Sequence, residues 1–350
     1  MRPGTTLCIP AWNGEAFVAE TLAAAVRQDV PGLVIHVSVD GADQATAEAC
    51  RPFLDDPRIR LTLQPRRLGW VGNSNWLIAA ADTRFVAMLP HDDVPEPGWL
   101  AALHGVLAAA PEAVCAFADL RGFGARTRRI DQAEIRGPIL ARLLDTLLHQ
   151  RAAVAYRGLL RLRDAEDRPF LPTDMPRDIA ADTAWLMELA CRGEVRRVPE
   201  VLVAKRYHAG NTHGAWGSLP PAEQVEAQAA LAATMTRRAL AAIAEAAAPR
   251  GAVVAAALLR LAGCGAGLPR HPKTPPAALI AAYGVACPEA AHALPLPPRR
   301  VLIGQAGAGP LALLLDDPAT LAKLAVLGAS LPDATEPRLV AALGALAAGE

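Results

Sequence analysis

The sequence predicts an α/β fold in which a mostly parallel sheet lies between helices, followed by an α-helical C-terminal domain. Over about the first hundred residues, short apolar segments rich in β-branched residues alternate with segments of helical periodicity. Alternation of this kind builds β-α-β units around a parallel sheet. Beyond residue 216 the chain changes to Ala/Leu-rich segments interrupted by prolines. We therefore expect an α/β domain at 1–216 and an Ala-rich helical domain at 217–350.

The predicted elements follow one another in regular order. Strands are predicted at 5–9, 33–39, 59–63, 85–89, 114–118, 154–162 and 195–207. Helices are predicted at 15–27, 43–54, 97–110, 138–150, 179–191, 222–248 and 252–262. A glycine-bearing loop is predicted at 69–73, leading into a further helix that continues through 81. Residues 121–131 are rich in Gly and Arg without periodicity, so we expect a loop there.

Composition excludes several classes of protein. The 350 residues carry a formal net charge of zero, which argues against a nucleic-acid partner. The six cysteines are scattered without a C-x-x-C pair, which argues against a zinc site or a dense disulfide framework. The N-terminus lacks a signal-peptide pattern, and the apolar run at 252–259 is too short to span a bilayer. We expect a cytoplasmic protein, with peripheral attachment to the inner face of the membrane left open.

The stretch FVAMLPHDDV is the most informative part of the chain. An apolar run stops abruptly at Asp92 and Asp93. Ionised groups at the edge of a core lose hydration, and a hard divalent cation such as Mg²⁺ or Mn²⁺ can compensate them. A solvated turn after a strand is the alternative reading of an isolated pair of aspartates.

Other polar residues also follow predicted strands. Asn13 comes after the first strand and Asp40 after the second, while Asp92 and Asp93 come after the fourth. Ligands of α/β sheets bind beyond the carboxyl ends of the strands. The convergence of these residues on one sheet edge therefore predicts a ligand site there.

The opening block reads IPAWNGEAFVAETLAAAVRQ. It resembles the GT-A glycosyltransferases of family two, in which an apolar strand, Pro-x-aromatic-Asn and a helix ending in Gln line the nucleotide pocket. The resemblance extends over roughly residues 5–215 and implies a GT-A, Rossmann-like fold. It implies that four residues of this loop bind the donor nucleotide, namely Pro10, Ala11, Trp12 and Asn13.

Two further blocks follow the family pattern in part. The second strand ends VSVDGAD, with Val39 in place of one acid, and the resemblance implies that Asp40 accepts a hydrogen bond from the nucleotide base. The block RLGWVGNSNWLIAAA keeps Gly69 and Asn75, which the resemblance implies bind the donor. Ser74 stands where the family often has a donor-binding arginine.

The acidic blocks complete the resemblance. The family's D-x-D-D reads PHDD here, with Pro90 in place of the first acid. The resemblance implies that Asp92 binds Mn²⁺ or Mg²⁺ and that Asp93 either contacts ribose or supports the loop. In AADTAWLMELACRGEVRRVPEVLVAKRYH, the resemblance aligns Asp182 with the second acid of the family's E-D pair, and Ala181 replaces the first. It aligns His208 with a position that completes the metal or pyrophosphate site in many members.

The activity that the resemblance implies is a metal-dependent, inverting transfer of a hexosyl group from a nucleotide-sugar donor, with a UDP-sugar expected. Asp182 is the expected general base and Asp178 the competing candidate. The expected acceptor is a saccharide, a lipid-linked molecule or a protein, as in polysaccharide biosynthesis. The C-terminal helices offer apolar faces for a core or a homodimer.

Two other functions stay open at this point. The replacements at Pro90, Ser74 and Ala181 also fit a catalytically impaired relative that serves as a binding or scaffold protein. A nucleotidyltransferase would need a Gly-rich phosphate loop with basic residues after the first strand, and residues 10–20 contain no Arg or Lys.

Overall fold

The computed structural model describes residues 1–149, 153–211, 219–243, 247–261 and 276–293. One compact unit comprises Met1–Glu134, Ala152–Thr173 and Gly193–Gly214. The second comprises Ile135–Arg151, Asp174–Arg192 and Ala215–Glu350. Two segments that the predicted 1–216 domain contains thus belong with the C-terminal helices, so the compact units do not coincide with the expected boundary at residue 216.

The first unit is an α/β structure, as predicted. Its strands are β1 (Arg2–Ala11), β2 (Leu33–Val39), β3 (Ile59–Leu63), β4 (Thr83–Met88), β5 (Val94–Pro95), β6 (Ala113–Gly124), β7 (Arg129–Ile130), β8 (Gly158–Arg161) and β9 (Glu194–Tyr207). Its helices are α1 (Val18–Ala25), α2 (Gln44–Cys50), α3 (Gly69–Ala80) and α4 (Trp99–Ala109). The loop predicted at 69–73 is therefore wrong, since these residues form the first part of α3. The central strands are largely apolar, and all seven residues of β2 are buried.

The sheet is mixed in strand direction. Its order is β3-β2-β1-β4-β8-β6-β9-β5, and β7 pairs with β6. The pairs β1/β2, β2/β3 and β1/β4 are parallel, so their carboxyl ends lie at one edge. Strand β8 runs antiparallel to both β4 and β6, whereas β6 and β9 are parallel. The parallel half carries most of the predicted site, as the rule for α/β sheets requires.

The predicted loop at 121–131 is wrong in part. Strand β6 continues to Gly124 because it pairs with β9, and Arg121 pairs with Arg129 in a short hairpin. Two glycines permit this close pairing. A Cβ at Gly122 would lie 2.7 Å from the Tyr207 ring, and Gly124 has a φ of +82°. The glycines that suggested a loop are therefore strand residues that make room for Tyr207.

The strand predicted at 154–162 is shorter than expected. Ala153 has a φ of +50°, in the left-handed region, and residues Val154–Arg157 form a 3₁₀ turn before β8 begins. A Cβ at Gly158 would lie 2.7 Å from the carbonyl oxygens of Ala116 and Ala155, so a glycine is needed where the turn meets the sheet. This turn ends at Arg157, immediately before β8 begins at Gly158.

The second unit is helical where it is described. Its helices are α5 (Ile139–Leu148), α6 (Ala181–Arg192), α7 (Pro221–Ala242), α8 (Ala247–Leu261), α9 (Pro276–Ala286) and α10 (Glu289–Ala293). Glu188 of α6 forms an ion pair with Arg192 of the same helix and another with Arg238 of α7, and the second pair joins the two helices. The sequence also predicts a Pro-rich linker at 268–276, which lies almost wholly outside the described residues. The short Ala/Leu segments beyond 293 lie outside them altogether.

No helix within the described ranges is both long enough and apolar enough to cross a bilayer.

Candidate active site

The exposed aromatic side chain at the end of β1 is covered by an arginine. Trp12 is 45% exposed, and the guanidinium carbon of Arg67 lies 3.2 Å from the centroid of its ring. Arg67 also forms an ion pair with Asp40, with Nε 2.9 Å from Oδ2. Stacking of a cation on an indole face stabilises this arrangement. The predicted base pocket at Trp12 thus contains a cation that sequence reasoning missed.

The carboxylate of Asp40 is buried and bonded to donors of the protein. Its side chain is 2% exposed, and it accepts hydrogen bonds from the backbone N–H groups of Leu68 at 2.7 Å and Gly69 at 3.0 Å. Gly69 has a φ of +76° and begins α3, so the carboxylate holds the loop that starts this helix. The structure therefore brings Asp40, Gly69 and Trp12 together through Arg67. Direct contact of Asp40 with a nucleotide base stays a prediction.

The loop after β1 adopts a backbone conformation that suits its residues. Asn13 has a φ of +47°, a region that Asn tolerates better than most residues, and its N–H donates to Asp43 Oδ2 at 2.7 Å. The Pro10 carbonyl lies 3.3 Å from His91 Nδ1. A Cβ at Gly14 would lie 2.4 Å from the His91 ring. This loop and the turn that carries Asp92 are thus packed directly against each other.

The side-chain amide of Asn75 is hydrogen-bonded to the backbone of Leu171. Its Nδ2 donates to the Leu171 carbonyl at 2.9 Å, and its Oδ1 accepts from the Leu171 N–H at 2.8 Å. Both polar atoms are used to hold the 162–173 segment. This geometry favours a supporting role, and the predicted donor contact of Asn75 is untested.

Asp92 and His208, the two predicted metal ligands, meet at the ends of β4 and β9. His208 Nε2 lies 3.0 Å from Asp92 Oδ2, and Asn211 Nδ2 donates to the same oxygen at 3.2 Å. The Gly210 N–H donates to His208 Nδ1 at 3.2 Å, which assigns the imidazole proton to Nε2. Binding of a cation through Nε2 would require that proton to move.

Asp93 is fully buried and ion-paired. Arg157 Nε donates to its Oδ2, and the Arg206 N–H donates to its Oδ1 at 2.9 Å. Burial opposes the charged guanidinium, but the carboxylates of Asp93 and Asp92 outweigh burial and raise the pKa of Arg157. Both oxygens of Asp93 are occupied, so the structure favours its loop-supporting role over a ribose contact.

Arg206 joins the two sheet ends that form the site. Its guanidinium lies between the rings of Phe17 and Phe123, 4.9 and 4.4 Å from their centroids. Its Nε donates to the Asp92 carbonyl at 3.1 Å, and it pairs with Glu20. The last five residues of the block AADTAWLMELACRGEVRRVPEVLVAKRYH include Arg206, but the sequence alone did not predict this role. For Arg157 the sequence offers no comparable signal.

Asp182, the predicted base, begins α6 in the second unit, and its Oδ1 accepts from the Thr183 N–H at 2.9 Å. Asp178 lies just before that helix with a φ of +57°, beside Arg177 and Ala180, which also have positive φ. Burial raises the pKa of Asp178. A raised pKa suits a general base, so Asp178 stays the competing candidate.

The residues of the first unit fit a divalent cation only together with a ligand. Among the described residues, no three His, Cys, Asp or Glu side chains could hold a metal ion. Asp92 and His208 supply two ligands at most. Magnesium and manganese sites of enzymes often use one or two protein ligands and take the rest from substrate phosphates and water.

The family profile described as "Glycosyl transferase family 2" matches residues 6–161. This match confirms the predicted family over that range and the predicted enzyme class. No curated protein sequence matches the chain.

Solved structures support the predicted GT-A fold. The chain is similar to S. aureus TarS 1-349 in complex with UDP, with a TM-score of 0.59 and 13% identity over 99% of this chain and 92% of that one. The same protein in complex with UDP-GlcNAc gives a TM-score of 0.56 and 12% identity over 99% and 90% of the two chains. The mannosyltransferase PcManGT from Pyrobaculum calidifontis, in complex with GDP-Man and Mn²⁺, gives 0.51 and 18% over 99% and 87%.

Proposed function

We propose that this chain, whose residues 6–161 belong to glycosyl transferase family 2, transfers a hexosyl group from a nucleotide-diphosphate sugar to an acceptor hydroxyl with inversion. The observation that carries the proposal is the pairing of Asp92 with His208 at the sheet edge, 3.0 Å apart, inside the part of the protein that has the fold of nucleotide-sugar enzymes. A UDP-sugar is the proposed donor. Complexes of a similar structure with UDP and UDP-GlcNAc support it.

The proposed reaction is a direct displacement. The acceptor oxygen forms a bond to the anomeric carbon while the bond from that carbon to the diphosphate oxygen breaks. The electron pair of that bond stays on the departing nucleoside diphosphate. The acceptor proton passes to the carboxylate of Asp182, and a general base of this kind contributes about 10²–10⁴-fold to the rate.

Asp92 and His208 would hold Mn²⁺ or Mg²⁺, with the donor phosphates as further ligands. A bound divalent cation supplies Lewis-acid stabilisation of the charge that grows on the leaving diphosphate. Arg206 fixes the Asp92 backbone and the Asp93 carboxylate at once, so it orients the turn that presents the metal ligand. The solved complex of PcManGT with GDP-Man and Mn²⁺ supports metal use.

Trp12 and Arg67 would form the wall of the base pocket, with Asp40 anchoring both the arginine and the start of α3. The acceptor is a saccharide, a lipid-linked molecule or a protein. A cytoplasmic location and a homodimer through the C-terminal helices remain predictions.

The first test is a thermal-shift panel with UDP, GDP, dTDP and CDP, each with and without Mn²⁺. A ligand at a hundred times its dissociation constant stabilises the folded protein by about 2.7 kcal/mol. We expect a Mn²⁺-dependent shift with one nucleotide, strongest with UDP, that is lost in Asp92→Ala. Asp55→Ala is the control, because Asp55 is exposed and lies outside the site. Absence of a shift with every nucleotide would overturn the proposal.

The second test separates the two base candidates. We expect Asp182→Ala to lower turnover about 10²–10⁴-fold while nucleotide binding survives, and Asp178→Ala to retain most of the turnover. The measurement is donor consumption and product formation at saturating donor. The reverse pattern would move the base assignment to Asp178.

A binding or scaffold protein without turnover is the second candidate. The observation that favours it is Ser74, which is fully buried and shares a 2.8 Å hydrogen bond with the Tyr156 hydroxyl in the core. The position where the family often has an arginine is therefore a packing position here. Nucleotide binding without sugar transfer to any acceptor or to water would support this candidate.

A further inference from the structure

Arg157 is a charged group of the candidate site that the proposed mechanism leaves unused. Its side chain is 11% exposed and its Nε donates to Asp93. Asp93 adjoins Asp92, the proposed metal ligand, and the charges of both carboxylates act on Arg157. Arg157 is therefore held against the turn that carries Asp92, where the donor diphosphate is proposed to bind.

Most of the donor capacity of Arg157 is unused. A guanidinium carries five N–H donors, and only the one on Nε has a partner among the described residues. Neither terminal nitrogen of Arg157 is a buried atom without a hydrogen-bond partner. Both nitrogens therefore keep contact with solvent. A buried arginine that served only as a counterion would be expected to use these donors on the protein.

The other cations near the site are already engaged. Arg206 donates to the Asp92 carbonyl and pairs with Glu20, and Arg67 is stacked on Trp12 and paired with Asp40. Helix α3 contains no Lys or Arg. Among the described residues, Arg157 is thus the cation beside Asp92 whose terminal donors have no protein partner.

We propose that Arg157 binds the diphosphate of the donor through its two terminal nitrogens, while Asp93 holds it by Nε. This inference rests on the proposed function and adds a residue to it. Planar guanidinium groups bind phosphate oxygens in pairs, with stronger hydrogen bonds than neutral donors make. Because negative charge grows on the leaving diphosphate, donors fixed at that position also stabilise the transition state.

The test measures the contribution of the diphosphate alone. The affinities for UDP and for uridine are compared by calorimetry in EDTA, so that no metal contributes, and GDP is compared with guanosine in the same way. The ratio of the two affinities isolates the diphosphate because the base and ribose are common to both ligands.

The variants separate a diphosphate contact from a structural role. Arg157→Met alone leaves Asp93 buried and unpaired, which can unfold the protein. Asp93→Asn keeps Arg157 but removes its counter-charge, and Asp93→Asn with Arg157→Met removes both charges. Arg161→Met is the matched control, because Arg161 lies at the far end of β8, the strand that follows Arg157, and donates to the carbonyls of Leu107 and Pro111. Thermal unfolding monitored by circular dichroism verifies that each variant is folded.

We expect Asp93→Asn to keep or raise the UDP-to-uridine ratio, and the double variant to lower it about tenfold or more. Arg161→Met should leave the ratio unchanged. A double variant whose ratio equals that of Asp93→Asn would overturn the inference and leave the proposed function intact. A wild-type protein that binds none of these nucleotides, even with Mn²⁺, would overturn the proposed function and this inference with it.

Discussion

Asp119 and Asp92 are both buried carboxylates of the first unit, but their oxygens have different partners. Asp119 has a fully buried side chain on β6, and Arg197 donates to both of its oxygens at 2.7 and 2.8 Å. Arg129 donates to it as well, at 2.6 Å. Burial opposes the charged form, but these hydrogen bonds outweigh burial and lower the pKa of Asp119. This acid is completely satisfied by the protein.

Asp92 keeps an 11% exposed side chain, and its hydrogen-bond partners among the described residues are the imidazole of His208 and the amide of Asn211. Within the described part of the chain, no Lys or Arg donates to this carboxylate. The difference shows that a buried acid is not in itself a site. What distinguishes a candidate ligand is the hydrogen-bonding capacity that the protein leaves unused.

The largest expected effect is that of Asp92→Ala on ligand binding. We expect the Mn²⁺-dependent affinity for the nucleotide to fall about a hundredfold, since loss of a metal ligand costs at least as much as loss of a group that orients one. Asp119→Ala should leave this affinity unchanged. Calorimetric titration with and without Mn²⁺ measures both, and equal losses in the two variants would erase the distinction between the two acids.

The next effect is that of Asp119→Ala on stability. We expect the free energy of unfolding to fall by about 2–3 kcal/mol, because hydrogen bonds to a charged group are lost and two arginines must turn to solvent. Asp92→Ala should change it much less. Urea denaturation followed by circular dichroism is the measurement. A larger loss in Asp92→Ala would mean that Asp92 is a structural acid.

A smaller effect tests how rigidly the turn that carries Asp92 is held. Gly14→Ala would place a Cβ 2.4 Å from the His91 ring, next to Asp92 in sequence. We expect it to lower the free energy of unfolding by about 1–2 kcal/mol and to weaken nucleotide binding. Gly98→Ala is the control, since a Cβ there meets no atom within 4 Å. Equal melting temperatures for wild type and Gly14→Ala would show that this turn yields easily.

The smallest effect is a pH dependence of the folding stability that arises from Asp119. The folded-state pKa of Asp119 is depressed, so its contribution to stability is fully present above the unfolded-state value of about 3.9 and is lost as the pH falls below it. We expect wild-type protein to lose more stability than Asp119→Asn when the pH falls from about 5 to 2. Urea denaturation across this range measures the difference, and parallel curves would contradict the assignment.

The local patterns of the sequence predicted much of the fold. Strands β2 and β3 have the predicted bounds, because each is rich in apolar and β-branched residues and ends at turn residues. The C-terminal end of β6 was not predictable from the local pattern. Its last residues are strand because they pair with β9, which lies about seventy residues further along the chain.

For the candidate site, motif spacing found the residues but not all of their contacts. Asp92 and His208 were expected to meet, and they do. Asn75 was expected to bind the donor, yet its amide is used on the Leu171 backbone. Spacing identifies which loop a side chain belongs to. The partners of that side chain belong to other segments of the chain. Motif spacing does not show which of those segments lie nearby in the folded protein.

The sequence by itself determined the alternating elements, the sheet edge at which polar residues gather and the acids that end β4. These features depend on periodicity and on the residues next to each strand, which are local properties. Only the tertiary structure decided that Arg157 pairs with Asp93, that Arg67 covers Trp12 and that two segments within 1–216 belong to the helical unit. These contacts join residues far apart in the chain, and the energy that selects them arises from packing and charge pairing in the folded protein.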